Sequence, residues 1–426
     1  MSDRRRILGN MASLFTLQGA NYLLPLITLP YLVRVLGPGK FGLIVFAQAF
    51  IQYFVVLANY GFNLSATREV AVHRDDPQKL GEIVSSVVTI KVLLAFAGWV
   101  LLAAIVLAIS AFRKHWALYL IVYLTVVGST LFPTWLFLGL ERMRDITWMN
   151  LGARLITTAA IFIFIHNPQD YLVVAAIQSV PVLLATVPAW TVLIKAHVVT
   201  WRRPDRRAIW EQIHSGWHVF LSTAAINIYT SSNTFALGLI AGPEAVGYFS
   251  VANKIAGAVT GLYQPVNQTL YPYISKLTEN SQKAVIEFIK RIYPIFVFSG
   301  LAATVVLLLS ANQIITLIAG TGYAPAVPVL KWLSMLPFIL AFGHIYGSLT
   351  MLPMGMKKLF SRIVTIGMLV DLVLIYPLIS LYGAVGAAMS TVVVEVCVSV
   401  LMIISAKHKK LLSLSDTAPA NGVGLL

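Results

Sequence analysis

Long apolar stretches separated by short basic connections recur along the whole chain. The stretches at 41–64, 83–111, 117–140 and 363–381 are each close to or above the length of about 20 residues that a helix needs to cross a hydrocarbon core of roughly 30 Å. The full pattern predicts spans at 10–36, 42–66, 83–110, 117–140, 147–166, 171–194, 216–241, 247–271, 291–311, 331–354, 363–381 and 383–405. We therefore predict an all-α membrane protein with about twelve transmembrane helices.

Composition makes the bilayer the solvent for most of this chain. Of 426 residues, 58% are hydrophobic and 11% are charged, whereas roughly a quarter of an ordinary soluble protein is charged. The first span follows Arg4, Arg5 and Arg6 and shows no small-residue cleavage site, so we expect it to be retained. Cys397 is the single cysteine, which excludes intramolecular disulfides and cysteine-based metal sites.

The positions of the basic residues predict the topology. The net charge is +15, and 23 of the 31 Lys and Arg residues lie in every second connection, against four in the others. By the positive-inside rule, this asymmetry places both termini in the cytoplasm and requires an even number of spans. The charge is thereby explained by topology and by attraction to anionic membrane lipids, and no nucleic-acid partner is expected.

The two halves of the chain repeat each other. The segment 36–42 recurs as 241–247, at an offset of 205 residues, with glycine and proline in register. We predict two six-helix lobes, at 1–200 and 216–410, joined by a basic cytoplasmic linker at 201–215 and followed by a flexible cytoplasmic tail at 411–426. Because six is even, the lobes should be related by a pseudo-two-fold axis along the membrane normal.

Polar residues form stripes at helical spacing inside the predicted spans. Unpaired amides cost several kcal/mol in hydrocarbon, so these stripes face other helices or water. Interhelical hydrogen bonding is an equally good explanation for any single residue, but the concentration of stripes on the first two helices of each half favours a hydrated cavity. The amides that we assign to this cavity are Gln18, Asn21, Gln48, Gln52, Asn59, Asn227, Asn253 and Gln264.

Two prolines lie five residues apart in the first span. Pro25 and Pro30 each remove a backbone hydrogen bond and tend to bend a helix. We expect this span to be the most deformable one. A moving gate or hinge and a static kink are equally compatible with the pattern.

Four basic residues lie inside the predicted spans and are candidates for binding an anionic substrate. Arg34 and Lys254 lie towards the outer ends of polar-stripe helices, where they could attract a phosphate. Lys91 and Arg154 lie about two turns from the cytoplasmic boundary. Each is weighted equally between a snorkelling anchor and an inner phosphate contact.

Acidic residues inside the last two spans are candidates for coupling to an ion. Asp371 and Glu395 must be protonated, paired across helices or bound to a cation. Together with Thr391 and Asn227, Asp371 could form a site for Na⁺ or H⁺. His344 is interpreted as a hydrogen-bonded structural histidine, and we expect no metal site, catalytic residue or organic cofactor.

The N-terminal 80 residues carry a recognisable signature. It comprises Asn21, Pro25, Pro30-Tyr31, Arg34-Val35-Leu36-Gly37, Phe41-Gly42, Tyr60-Gly61-Phe62 and Thr67-Arg68-Glu69, with weaker likeness at 322–326, 355–358 and 383–388. The chain thereby resembles the polysaccharide-biosynthesis flippases, the Wzx-type O-antigen translocases of the multidrug/oligosaccharidyl-lipid/polysaccharide exporter superfamily.

The resemblance implies a fold, a substrate and partners. It implies two V-shaped lobes and transport of undecaprenyl-diphosphate-linked oligosaccharide, as used in lipopolysaccharide synthesis, to the periplasmic face, with polymerase and other glycan-assembly proteins as partners. It also implies a basic cavity, which Arg34 and Lys254 match, and a sodium site among helices 7, 11 and 12. Helix 7 has no acid here, and Gly367 stands one turn before Asp371, so the coupling ion is left open.

Two other functions compete with the flippase. A drug or metabolite antiporter of the same fold would favour acids in its cavity when it exports cations, whereas Arg34 and Lys254 are basic. A membrane enzyme such as a polysaccharide polymerase or acyltransferase would need a catalytic cluster or a sizeable loop, and no outward connection exceeds about 20 residues. We therefore expect a transporter, not an enzyme.

Overall fold

The computed structural model describes residues 3–195, 201–202, 204–280 and 282–408, excepting the side chains of residues 3–23, 226, 228–230, 279, 280, 282 and 407. The predicted tail at 411–426 lies outside the described residues. Within the described ranges the chain is helical nearly throughout and contains no strand.

The α-helices are connected mostly by short turns. They are α1 Asp3–Asn59, α2 Phe62–Val72, α3 Pro77–Ala108, α4 Ser110–Arg113, α5 Trp116–Leu131, α6 Thr134–Gly139, α7 Met143–Phe164, α8 Tyr171–Lys195, α9 Arg206–Ile240, α10 Gly242–Thr260, α11 Tyr263–Asn280, α12 Gln282–Leu309, α13 Ala311–Ala319, α14 Ala326–Leu333, α15 Leu336–Phe342 and α16 Lys357–His408. Two 3-10 turns, Pro168–Asp170 and Thr321–Tyr323, and a π-helix, Gly343–Met351, complete the secondary structure of the described residues.

Helices occupy all twelve predicted spans, which confirms the all-α fold class. Eight helical stretches of the described chain are long and apolar enough to cross a membrane, and two of them, Leu24–Val72 and Lys357–Ala406, have 49 and 50 residues, enough for two crossings each. The seventh and eighth predicted spans are the helices α9 and α10–α11, which are not among these eight. The polar stripes of these helices lower their mean hydropathy, by which membrane-crossing helices are recognised.

Glycine and a capping aspartate set the ends of several spans. Gly37, with φ 67° and ψ 172°, interrupts α1 between its two crossings, and Gly383, with φ 56°, interrupts α16 in the same way. Residues with a Cβ rarely adopt these backbone angles, so glycine permits the chain to reverse at both positions.

Asp76 caps α3 because its carboxylate accepts hydrogen bonds from the backbone N–H groups of Lys79 and Gln78. These bonds lower the pKa of the carboxyl group.

The described chain divides into two compact units. Counting described residues only, unit 1 comprises those up to Lys254 together with Asn312–Val329 and Ile375–Ala387, and unit 2 comprises those in Ile255–Ala311, in Leu330–Leu374 and from Ala388 onward. The two symmetric six-helix lobes stay a prediction. Inside the predicted linker, helix α9 already begins at Arg206, and the Arg202 backbone N–H donates to Ser85 Oγ at 3.0 Å.

An aromatic stack joins α1 to α9 in unit 1. The ring of Phe235 on α9 lies parallel to those of Phe46 and Phe50 on α1, with centroids 5.6 and 5.4 Å apart. Phe50 also contacts Phe112 and Tyr119. Such offset contacts add to the burial of apolar area, so α9 is held firmly against α1.

The repeated glycine-proline segments pack against each other within unit 1. A Cβ added to Gly42 would overlap the carbonyl oxygen of Pro243, and one added to Gly247 would overlap that of Pro38. At the offset of 205 residues these two contacts are equivalent, and the equivalent residues Gly37 and Gly242 both have positive φ. We call this pair of contacts the reciprocal glycine contact.

Unit 2 has its own polar and aromatic packing. Tyr263 stacks on Phe296 with centroids 5.7 Å apart and donates to the Pro337 carbonyl at 2.8 Å. His344 lies 2.7 Å from Asn267 Nδ2 and against the Tyr263 ring. The hydrogen bonding predicted for His344 is confirmed, and its structural role stays a prediction.

Candidate functional site

A cavity in unit 1 surrounds the ammonium-bearing side chain of Lys254. It has an empty volume of about 420 Å³, including the part open to solvent. Three helices of unit 1 contribute to it: α1, α8 and α10. We call it the Lys254 cavity, and its walls are formed by Pro25, Thr28, Leu29, Leu32, Phe41, Ile44, Val45, Gln48, Val174, Gln178 and Lys254.

Lys254 is the charged group of this cavity. Lys254 is an exposed residue, although apolar wall residues such as Leu32, Phe41 and Val174 are buried. The residues that line the cavity include no acid, and none of the ion pairs of the described chain involves Lys254. An exposed cation between amides and apolar walls is suited to an anion.

Two amides lie beside Lys254 on the cavity wall. Gln48 Nε2 on α1 donates to Gln178 Oε1 on α8 at 2.6 Å. Thr28 Oγ1, also on α1, donates to the carbonyls of Leu24 and Pro25 in the same helix. The cavity therefore has a polar side around Gln48 and an apolar side around the leucines of α1.

The remaining predicted amides occupy different environments. Gln52 Nε2 donates to Asn227 Oδ1 at 3.2 Å, which joins α1 to α9, and Asn59 Nδ2 donates to the Val55 carbonyl of its own helix. Asn253 is exposed next to Lys254, while Gln264 is exposed on α11 in unit 2. Gln18 and Asn21 lie among the residues whose side chains are outside the described part.

The two prolines of the first span lie in unbroken helix. Pro25 lines the Lys254 cavity, and α1 continues through Pro25 and Pro30 until its backbone breaks at Gly37. The gate or hinge role of the prolines stays a prediction. Gly37 is the position at which the structure interrupts this helix.

Arg34 is close to the chain reversal but does not line the Lys254 cavity. Its guanidinium donates to the carbonyl of Leu317 in the last turn of α13. A cation at the carboxyl end of a helix is favoured by the helix dipole. The structure thus gives Arg34 a partner inside unit 1 in addition to its predicted role toward phosphate.

The two inner basic residues differ in burial. The Lys91 side chain is 1% exposed, and its Nζ donates to the Ser129 carbonyl at 3.1 Å. Arg154 on α7 is half-buried. Neither residue lines the Lys254 cavity.

Lys91 offers a test of whether a buried charge is structural. We expect Lys91→Met to change the free energy of unfolding by less than about 1 kcal/mol, because a residue of similar shape replaces a costly buried ion. Lys91→Ala should lose about 2–4 kcal/mol through the cavity it leaves. Thermal unfolding of the detergent-purified protein measures both changes. A Met variant that folds normally but fails to transport would support the predicted phosphate contact instead.

The acidic candidates lie in unit 2. Asp371 is 1% exposed, and its Oδ1 accepts a hydrogen bond from Ser390 Oγ at 2.7 Å. Thr391 and Glu395 are half-buried on α16, while Asn227 belongs to unit 1. Within the described residues no group of three or more His, Cys, Asp or Glu could hold a metal ion.

Gln178 is the site residue that sequence reasoning missed. It is the single amide side chain of the largely apolar helix α8, at hydrogen-bond distance from Gln48. One amide in a span is a weak signal when no second amide lies at helical spacing from it. Only its proximity to Gln48, 130 residues away, identifies it.

Solved structures with the same fold are transporters. The chain matches the structure titled "Lipid II flippase MurJ, inward closed conformation" with a TM-score of 0.77 and 13% identity, over 95% of this chain and 89% of that one. It also matches an inward-facing multidrug resistance MATE family transporter of the MOP superfamily, with a TM-score of 0.64 and 15% identity, over 92% of this chain and 96% of that one. At these identities the likeness shows the fold.

Sequence comparison identifies closer relatives. A protein of Escherichia coli (strain K12) named "Putative O-antigen transporter" is 36% identical over 95% of this chain and 97% of its own length. A protein of Shigella dysenteriae with the same name is 30% identical over 93% and 99%. The family described as polysaccharide biosynthesis protein matches residues 7–278. These matches and the apolar helices agree with a multi-pass bacterial membrane protein, and the chain belongs to the polysaccharide biosynthesis protein family.

Proposed function

We propose that this protein is a flippase that moves an undecaprenyl-diphosphate-linked oligosaccharide, such as an O-antigen repeat unit, from the cytoplasmic to the periplasmic leaflet. Transport proceeds by alternating access and is coupled to Na⁺ or H⁺. The protein lies in the bacterial inner membrane with both termini in the cytoplasm, as the distribution of basic residues supports.

The observation that carries this proposal is the Lys254 cavity. Lys254 is an exposed residue of the lining, the lining residues include no acid, and the amides of Gln48 and Gln178 can exchange their mutual hydrogen bond for bonds to a ligand. A diphosphate is an anion attached to a polar head, so it matches this combination of groups. The names of the relatives support the same class of substrate.

The reciprocal glycine contact supplies a point of closure on the predicted outer side. It joins the first and seventh connections, which the positive-inside rule places away from the cytoplasm. Access from the periplasm requires this contact to separate. Access from the cytoplasm requires it to hold.

Reconstitution tests the function directly. The purified protein is placed in proteoliposomes that contain a labelled undecaprenyl-diphosphate-linked glycan, and its exposure on the opposite leaflet is followed with a membrane-impermeant glycosidase. We expect the protein to speed this exposure, and an ion gradient to speed it further. Equal rates with and without protein would contradict the flippase proposal.

Asp371 is the proposed carboxylate for ion coupling. It is buried and oriented by Ser390, as a cation or proton site inside a membrane protein requires. We expect Asp371→Asn to remove the response of flipping to a Na⁺ or H⁺ gradient, because the amide neither binds a proton nor offers a full charge. The matched control is Glu287→Gln, which removes an exposed carboxylate on α12. An unchanged gradient response in Asp371→Asn would exclude this residue from coupling.

The alternative is a cation-coupled drug or metabolite antiporter, as the MATE-like fold allows. Lys254 argues against cationic cargo because it would repel it inside the cavity. Efflux of a cationic dye by the same proteoliposomes, without glycan movement, would favour the antiporter. A polymerase or acyltransferase is disfavoured because the relatives are named as transporters.

A further inference from the structure

A second cavity in unit 1 lies between α2 and α9, apart from the Lys254 cavity. Its empty volume is about 910 Å³, including the part open to solvent. We call it the α2–α9 groove. Its polar side is formed by Ser65, Arg68, Glu69, His73 and Ser215, and the His73 ring lies at hydrogen-bond distance, 3.0 Å, from the Glu69 carbonyl of its own helix end.

The acid of the groove is already satisfied by the protein. Glu69 Oε2 accepts a hydrogen bond from Gln212 Nε2, and Glu69 Oε1 accepts one from Ser215 Oγ at 3.3 Å. Both donors lie on α9, so the carboxylate holds the two helices together. It is turned towards α9 and makes no ion pair with Arg68.

Arg68 is the cation left available in this groove. Its side chain is exposed, and none of the ion pairs in the described ranges includes it. The nearby Arg74 differs, since its guanidinium lies 3.6 Å from Glu141 and 3.7 Å from Asp75. Arg68 therefore presents a planar donor group without a carboxylate partner.

A second donor of the groove also lacks a partner. Ser65 Oγ is buried and has no hydrogen bond to any described group. Ser65 precedes Arg68 by three residues, so both lie on the same face of α2. A buried hydroxyl without a partner is uncommon in native proteins and indicates a missing acceptor.

Apolar side chains flank these donors along the same helix. Leu64 is 67% exposed and Val72 is 70% exposed, and Val219 on α9 forms the facing wall. The groove thus combines one free cation, one free hydroxyl and an apolar track. A phosphodiester attached to an acyl chain has the matching single negative charge, acceptor oxygens and apolar tail.

We propose that the α2–α9 groove binds the headgroup of an anionic membrane phospholipid. Arg68 and Ser65 donate to its phosphate, and its acyl chain lies along Leu64 and Val72. This site is separate from the Lys254 cavity, and its occupancy does not depend on glycan transport.

Photocrosslinking to the full-length protein tests this site. The probe is phosphatidylglycerol with a photoreactive acyl chain in phosphatidylcholine vesicles, and the zwitterionic counterpart is photoreactive phosphatidylcholine. We expect the anionic probe to label peptides of α2 and the facing turn of α9. Arg68→Ala should reduce this labelling at least about tenfold, Arg68→Lys less, and Ser65→Ala a few-fold, since charge-assisted hydrogen bonds outweigh neutral ones.

The matched control is Arg74→Ala, which removes an arginine engaged with acids outside the groove and should label like the unaltered protein. Equal labelling by both lipid probes, or full labelling of Arg68→Ala, would overturn the proposal. If inorganic phosphate alone competes the labelling away, the groove binds a free anion, and this result also overturns the lipid assignment.

Discussion

Lys254→Ala is expected to reduce surface display of the glycan strongly while leaving the protein folded and inserted. The substitution removes the cation of the Lys254 cavity, whose lining residues include no acid. A hydrogen bond to a charged group is worth about 1.5–3 kcal/mol, which corresponds to roughly a ten- to hundredfold loss of affinity. Because Lys254 is an exposed residue, we expect its truncation to leave no fully enclosed void and to change stability little.

Three variants make this expectation specific. Lys254→Arg keeps the charge and should retain most of the transport, whereas Lys254→Glu should abolish it. Lys331→Ala, which removes an exposed lysine outside the cavity, is the matched control and should behave like the unaltered protein. Glycan flipping in proteoliposomes and membrane abundance are measured together. Transport by Lys254→Ala at the normal rate would remove this residue from the mechanism.

Gly42→Ala is expected to force the reciprocal glycine contact apart. The added Cβ would meet backbone atoms, namely the Pro243 carbonyl oxygen and, at 2.6 Å, the Gly247 nitrogen, which cannot rotate away as a side chain could. Overpacking of this kind costs about 1–3 kcal/mol. We expect a lower thermal stability and a slower transport rate, because the closed outer side is disfavoured.

Gly39→Ala is the matched control, since a Cβ at this glycine of the same turn would have no atom within 4 Å. Opening is measured as maleimide labelling of Val246→Cys, which replaces a fully buried residue, in a background that carries Cys397→Ser. Labelling should rise in Gly42→Ala and stay low in Gly39→Ala. Gly247→Ala should act like Gly42→Ala, and the double variant should be less than additive because both disturb one contact. Equal labelling of the Gly42 and Gly39 variants would refute this role.

The spans and the repeat could be predicted because they depend on local chemistry. Each span must bury its own backbone polar groups in a helix, so apolar length alone marks it. The register of 36–42 with 241–247 is visible in the residues, and the structure places Gly37 and Gly242 in the same positive-φ conformation. The contacts of Gly42 and Gly247 with the opposite segment were not predictable, because a repeat in the sequence does not give the distance between its two copies.

The types of residue at the candidate site were predictable, but which of the candidates line the same cavity was not. Lys254, Gln48 and Pro25 line one cavity, whereas Lys91 is buried against Ser129 and Arg34 donates to Leu317. Each of these outcomes depends on a partner 38 to 283 residues away. Spacing within one helix identifies a polar face, but the helix it faces is set by packing.

The amino-acid sequence alone determined that this chain crosses a membrane many times, with polar stripes and basic residues inside the spans, because the cost of exposing peptide groups and charges to hydrocarbon acts on every segment separately. Only the tertiary structure decided which of those polar groups are satisfied by neighbours, as Gln52 is by Asn227, and which stay open to a ligand, as Lys254 does. Pairing depends on distances between helices that are remote in the chain, and those distances follow from how the helices pack.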